Sequence, residues 1–338
     1  MSEPTDAAAG MTRGTANGAE ADAAPADSGA AAKHGVASSE RAAEDETCLA
    51  ATGLASGVTT PGPDRGPQHS ADQGSGRPLA GMGTLIRLGL RRERLAIVIW
   101  VAAITATILA SFPTLAELYP DEASRQALVG GIAATPAFTV ITGPIESTSL
   151  GGLTAWRYGV LGGVAAALMA ITLVIRRTRA EEESGRAELV SAGVVGRFAA
   201  LGAALTVAGG ACLLIGVLVA AGSIGTGEPA KGSVLLGVSL AGPGLVFAAL
   251  AALAAQLVDA ARTALGLAGA ALAVAFALRA AGDSISGLGA LSWISPLGWG
   301  QRLAAFGADR VWILWLFVAA GGVVMLIAAG LQARRDVG

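Results

Sequence analysis

The sequence predicts an all-α, polytopic membrane protein: six transmembrane helices, a helical connection on the cytoplasmic side and a disordered N-terminal tail. Three observations carry that prediction. The 338 residues are 53% hydrophobic and only 14% charged, with a mean hydropathy of +0.60, well above the apolar share of a water-soluble domain. Six apolar runs approach or exceed the roughly 20 residues that a helix needs to cross about 30 Å of hydrocarbon, the fifth being the shortest because it closes at Arg279. Arginines gather at every second end of those runs, which sets a direction across the bilayer.

Residues 1–79 are Ala, Gly, Ser, Pro, Asp and Glu with almost no aromatic or large aliphatic side chains. Such a segment buries too little surface to offset the entropy of ordering, so a disordered tail is expected there. The opening MSEPTDAAAG has neither the basic start nor the apolar run of a secretory signal. Residues 80–338 then form the six-helix domain, with spans expected at about 95–115, 158–175, 198–222, 233–258, 263–278 and 311–333. Dense Gly and Ala suit close helix contact in lipid, where small residues let backbones approach.

Arg87, Arg91, Arg92 and Arg94 precede the first span, and Arg176, Arg177 and Arg179 follow the second. Arg262 follows the fourth span, and Arg334 and Arg335 follow the sixth. An even number of spans places them all on one side, which the excess of positive charge makes cytoplasmic, with both termini inside. The opposite connections hold a sparser set: Arg125, Lys231, Arg302 and Arg310. Trp293, Trp299 and Trp312 surround the outer end of the sixth span, as depth anchors do. The stretch 288–306 reads as a short interfacial helix or a re-entrant turn.

Composition also excludes chemistry. Cys48, His34 and His69 fall in the polar tail, and Cys212 alone lies in the apolar part, so the spans offer no disulfide framework, zinc site or His-based triad. A net charge of -2 gives no electrostatic footprint for nucleic acid. An intramembrane enzyme ranks last, because no span carries paired carboxylates or a histidine for acid–base work.

The most informative polar piece is 176–197, RRTRAEEESGRAELVSAGVVGR. Glu182 precedes Arg186 by four residues, the favourable order for a helical pair, and Leu189, Val190, Val194 and Val195 supply an apolar side. A helix of this kind, laid across the ends of two spans, offers a docking surface; the plainer reading is a solvated connector. Six other residues stand out. Arg157, Asp259, Arg262, Arg279 and Asp283 lie in or beside spans, where ionisable groups are expensive and mark pathways or gates, or else snorkel to the interface or pair with each other. Pro243, in LAGPGLVF, interrupts the fourth span and marks either a moving kink or a tolerated packing feature.

The run RAEEESGRAELVSAGVVGR resembles the first cytoplasmic loop of type-2 ABC transporter permeases, in the actinobacterial group described as exporters of polyketide antibiotics. RLGLRRERLAIVIWV, AAQLVDAARTALGLAGA and LSWISPLGWGQRLAAFGADR are similar to the same family in the same order, so the resemblance covers most of 84–335. It implies that the loop is a coupling helix docking on a cytoplasmic ABC ATPase, through Glu181, Glu182, Glu183, Gly185, Arg186 and Glu188. It also implies export of a small amphipathic or apolar cargo such as an antibiotic, driven by ATP with Mg held on that partner chain, and no cofactor on this one. The sequence agrees in lacking a phosphate-binding loop: in GSIGTGEPAKGS, Lys231 sits between Ala230 and Gly232, and both neighbours depart from the motif. Family members carry about twice as many spans, so either a second six-helix half is expected, from a second copy or a sister chain, or the reading frame is truncated. The alternative reading is a secondary transporter or channel driven by an ion gradient, which the absence of acidic groups from the middle of each span disfavours.

Overall fold

The computed structural model describes residues 79–133, 136–183, 196 and 198–335. The expected disordered tail lies outside these residues. Every regular element described is helical: α1 Met82–Leu118, α2 Glu122–Ala133, α3 Pro136–Thr142, α4 Leu150–Arg177, α5 Arg179–Glu183, α6 Ala199–Gly225 and α7 Ala230–Leu257. There follow α8 Ala261–Ser284, α9 Gly289–Ile294, α10 Pro296–Arg302, a single 3-10 turn Val311–Ile313 and α11 Leu314–Arg335. Six of these, α1, α4, α6, α7, α8 and α11, are long and apolar enough to cross a membrane. The chain is a multi-pass membrane protein with the six spans that the apolar runs predict.

The helices outrun the apolar runs where polar residues find partners. The first extends back from about residue 95 to Met82, carrying the arginines of its first turns as helix. The fifth span continues past Leu278 to Ser284, because Arg279 is buried there with a partner and does not end the helix.

At the centre stands α7, packed by α4, α6, α8, α10 and α11. Small residues set these distances. A Cβ added to Gly237 would lie 2.2 Å from the Gly216 carbonyl oxygen, so α6 and α7 meet backbone to backbone. Two turns further on, Gly244 faces the buried Cys212 sulfur and Ala166 of α4. In lipid, where apolar surface gains nothing from leaving solvent, this close van der Waals contact is what joins helices. Large side chains fill the remainder: Phe247, Ile215, Leu236, Leu240 and Met169 are fully buried.

Pro243 lies inside α7, which stays helical from Ala230 to Leu257. Its missing N–H releases the Ser239 carbonyl four residues back. That oxygen faces Gly300 of α10 and Gly163 of α4, where added Cβ atoms would come within 2.8 Å and 3.4 Å of it; the proline ring packs on the same two glycines. Pro243 therefore occupies a junction of three helices.

Candidate functional site

Two polar layers bound the bundle. At the arginine-rich end the chain leaves α4 through two buried arginines. The Arg177 guanidinium lies on Gly89 of α1, where any side chain would collide with it, and donates to the Leu85 carbonyl at 3.3 Å. Arg179 donates to the Ala255 carbonyl at the end of α7 and approaches the Asp259 carboxylate at 3.8 Å. Beside them, Arg176 pairs with Glu93 at 3.6 Å.

The short α5 is thereby tied to three spans. Arg92 of α1 donates to Glu181 at 3.4 Å. Glu183 accepts a hydrogen bond from the Ala261 N–H, the first amide of α8. That helix begins at Ala260 without a capping side chain of its own, so Glu183 supplies across space both the acceptor and the negative charge that a helix N-terminus favours. Asp259 and Arg262 flank the same junction, both exposed. Of the acids expected to form a docking surface, Glu181 and Glu183 are thus engaged with the protein's own helices; the Glu182 side chain, Gly185, Arg186 and Glu188 lie outside the described residues.

The opposite end is closed by the segment expected to lie at the interface. It forms two short helices, α9 and α10, that turn into the bundle, with Leu297 and Ser295 buried. Ser292 sits against Gly282 of α8 and Gly298 of α10, and a Cβ at either glycine would strike its backbone. Trp293 stacks on Trp312 with ring centroids 5.6 Å apart, and the Arg302 guanidinium lies 4.7 Å from the Trp293 ring. Trp299 meets Phe317 edge to face.

Under this cap Arg279 and Asp283 pair at 3.6 Å, with 0% and 4% of their side chains exposed. Arg279 also donates to the Val140 and Ile141 carbonyls of α3, at 2.7 Å and 3.0 Å, and lies over the Phe276 ring. Arg302 reaches Asp283 at 3.9 Å. Of the two sequence explanations for this pair, mutual pairing holds and snorkelling to the surface does not: α3 and α9 cover the groups, so each charge is neutralised inside the protein.

After α10 the chain turns back through three non-glycine residues with positive φ: Ala304 (49°), Phe306 (64°) and Asp309 (48°). Such backbone costs about 1–3 kcal/mol per residue and persists only where surroundings hold it. Here the Arg310 N–H donates to the Leu303 carbonyl, Asp309 accepts from the Phe306 N–H, Lys231 pairs with Asp309 at 3.6 Å and Arg310 with Glu146 at 3.9 Å. The Phe306 ring sits against Gly151 and Gly232, joining the ends of α4 and α7 at this face. Between the third and fourth spans, Glu228 accepts from the Gly151 N–H in the first turn of α4; burial pushes its carboxyl up, against the lowering by that N–H and by Arg125. Nearby, a hydrogen bond from Thr148 holds the Glu122 carboxyl below its usual range.

Arg157 stands apart from this network. It is exposed on α4, its guanidinium 5.8 Å from the Tyr158 ring centroid. Two clefts of about 280 Å³ each meet at Arg157 and Leu115, one running beneath α2 and α3, the other along α1.

The structure therefore brings Arg279 with Asp283, and Asp259 with the acidic connection, while Arg157 and Pro243 belong to separate places. Arg302 was noted in sequence only as one of the sparse charges of its connection, and Glu146 and Glu228 were not singled out. Glu146 and Glu228 lie in short polar connections with no local partner; the residues they meet, Arg310 for Glu146 and the Gly151 N–H for Glu228, are too distant along the chain for local spacing to reveal.

The chain is similar to the multidrug efflux system permease protein Rv1217c of Mycobacterium tuberculosis, with 43% identity over 255 residues. The match takes in 75% of this chain and 46% of that protein. The chain thus spans about half the length of the relative it matches. No protein-family model matches the chain.

Proposed function

We propose that the chain is the membrane-spanning permease part of an ATP-driven, ABC-type efflux system that moves a small amphipathic or apolar molecule out of the cell. The observation that carries this reading is the 43% identity to a multidrug efflux permease across three quarters of the chain. The finer assignment, to exporters of polyketide antibiotics, rests on the sequence resemblance. In this reading the arginine-rich end is cytoplasmic and the capped end faces outward. A second six-helix half completes the pathway, and ATP with Mg is bound on a separate ATPase chain.

The connection after α4 is the site at which the ATPase docks. Its first segment, α5, is fastened to α1 through Arg92, to α7 through Arg179 and to α8 through Glu183. A displacement of that segment by a closing ATPase is delivered to three spans together. Glu181 and Glu183 act in this scheme as internal fasteners that keep the docking segment coupled to the bundle.

The test is purification of the full chain from its native host in mild detergent, with an ABC ATPase expected to co-purify, followed by transport in inverted vesicles. Replacing Glu181, Glu182 and Glu183 with Lys is expected to lower recovery of the ATPase by tenfold or more and to abolish ATP-dependent transport. Unchanged recovery would remove this segment as the dock. Transport that persists without nucleotide but collapses with the ion gradient would replace the ATP-driven reading by the secondary transporter.

A further inference from the structure

Position along α4 fixes the depth of Arg157. It lies twenty residues before the buried Arg177 on one continuous helix, which at 1.5 Å per residue is about 30 Å, one hydrocarbon thickness. With Arg177 at one membrane face, Arg157 stands at the headgroup level of the other. It is exposed there, and among the described residues no carboxylate pairs with it. The remaining arginines of this end behave differently: Arg125, Arg279, Arg302 and Arg310 each pair with an acid.

The space around the guanidinium is shaped. One cleft descends along α1 from Leu118 through Thr114 and Ala110 to Thr107, eleven residues or about 16 Å of helix. These four residues are exposed on the outer surface of the bundle, so the crevice opens sideways to lipid. The other cleft, lined by Leu128, Ile132, Phe138 and Trp156, is apolar. The Ser111 and Thr114 hydroxyls in the α1 cleft donate back to the Ile108 and Ala110 carbonyls of their own helix, so a fixed cation at headgroup depth, at the top of a crevice reached from the bilayer, has the form of a site for an anion carrying a long apolar chain. Arg favours phosphate because its planar donors engage two oxygens together.

We propose that Arg157 and the α1–α4 crevice bind an anionic phospholipid, with the phosphate on the guanidinium and one acyl chain lying along Thr107–Leu118. The site requires that the spans cross a bilayer; it does not require efflux. Loss of ATPase recovery would leave it standing, and loss of lipid retention would leave the efflux reading standing.

Native mass spectrometry of the full chain in dodecyl maltoside, titrated with phosphatidylglycerol, tests it. The wild-type chain is expected to retain one phosphatidylglycerol at least tenfold more strongly than uncharged diacylglycerol. Arg157→Gln should remove that preference, Arg157→Lys should keep part of it, and Ala110→Trp should weaken retention by filling the crevice while the cation stays. Arg125→Gln, at the same end, should leave retention unchanged. Equal retention by Arg157→Gln, or by Ala110→Trp, would overturn the site. Displacement by millimolar inorganic phosphate would overturn the acyl-chain assignment and leave a site for a free anion. Melting temperatures of all variants within a few degrees of wild type show that the comparison is between folded proteins.

Discussion

Replacing Arg279 with Met removes a fully buried guanidinium and leaves a side chain that still fills most of its path. Two hydrogen bonds to the α3 carbonyls of Val140 and Ile141, at 2.7 Å and 3.0 Å, disappear with it. Bonds from a charged donor are worth about 1.5–3 kcal/mol each. The same change strands Asp283, 4% exposed, with Arg302 at 3.9 Å as its remaining counter-charge. Removing one member of a buried pair costs about 3–5 kcal/mol, and the two routes to the estimate agree. Asp283→Leu alone strands Arg279 in the same way. In the double variant Arg279→Met with Asp283→Leu no charge is left unpaired between the two positions, so its cost should fall below the sum of the single changes by about 1–3 kcal/mol. Unfolding of the full chain in mixed micelles of increasing SDS, followed by tryptophan fluorescence, gives the three numbers. A single-variant cost below about 1 kcal/mol, or strict additivity, would show that the pair is not the fastening between α3 and α8 described here.

Gly237→Ala places a Cβ 2.2 Å from the Gly216 carbonyl oxygen, which is backbone and cannot rotate away. A loss of about 1–3 kcal/mol is expected in the same assay, whereas Gly210→Ala, which meets nothing within 4 Å, should be neutral or gain about 0.5–1 kcal/mol. Glu183→Gln weakens the cap on α8 by about 0.5–1 kcal/mol, and hydrogen exchange of the Ala261 amide should quicken; unchanged protection would sink the capping role. Because burial raises the Glu228 carboxyl above its ordinary 4.5, the folded state holds that proton more tightly than the unfolded state. Stability is then lost as pH rises from the ordinary value through the raised one. Melting temperature between about pH 4 and pH 7 should therefore decline more steeply for the wild type than for Glu228→Gln.

Hydropathy made the six spans legible because length against a fixed membrane thickness is a one-dimensional test. The ends of the spans were less legible, since a charge inside an apolar run looks like a terminus until its partner is known. Arg279 shows why. In sequence it closes the fifth run; in space two α3 carbonyls and Asp283 hold it, and the helix runs on to Ser284. The pairing with Asp283 was readable from four-residue spacing, but the α3 carbonyls, well over a hundred residues earlier in the chain, were not. Likewise the acids at 181 and 183 were readable as a charged helix start, while their attachment to Arg92 and to the first amide of α8 depended on tertiary packing.

The two ends of the bundle are built for different mechanical tasks, and the difference follows from what each contact would cost to break. At the capped end the charges are enclosed: Arg279 and Asp283 have almost no exposed surface, so separating them without water to replace the partner is costly. At the arginine-rich end the pairs are half open, with Arg92 and Glu181 at 46% and 36% exposure and Asp259 at 87%. Exposed pairs of this kind contribute about 0–1 kcal/mol and exchange readily with water. Buried Arg177 and Arg179, by contrast, hold the start of the connection to the α1 and α7 backbones. In the proposed efflux cycle a force applied to α5 would meet soft ionic contacts around a firm pivot, and the enclosed Arg279–Asp283 contact would be the costlier one to break. In the proposed efflux cycle, this makes the segment after Arg179 the input and the Arg279–Asp283–Arg302 cluster the last contact to yield.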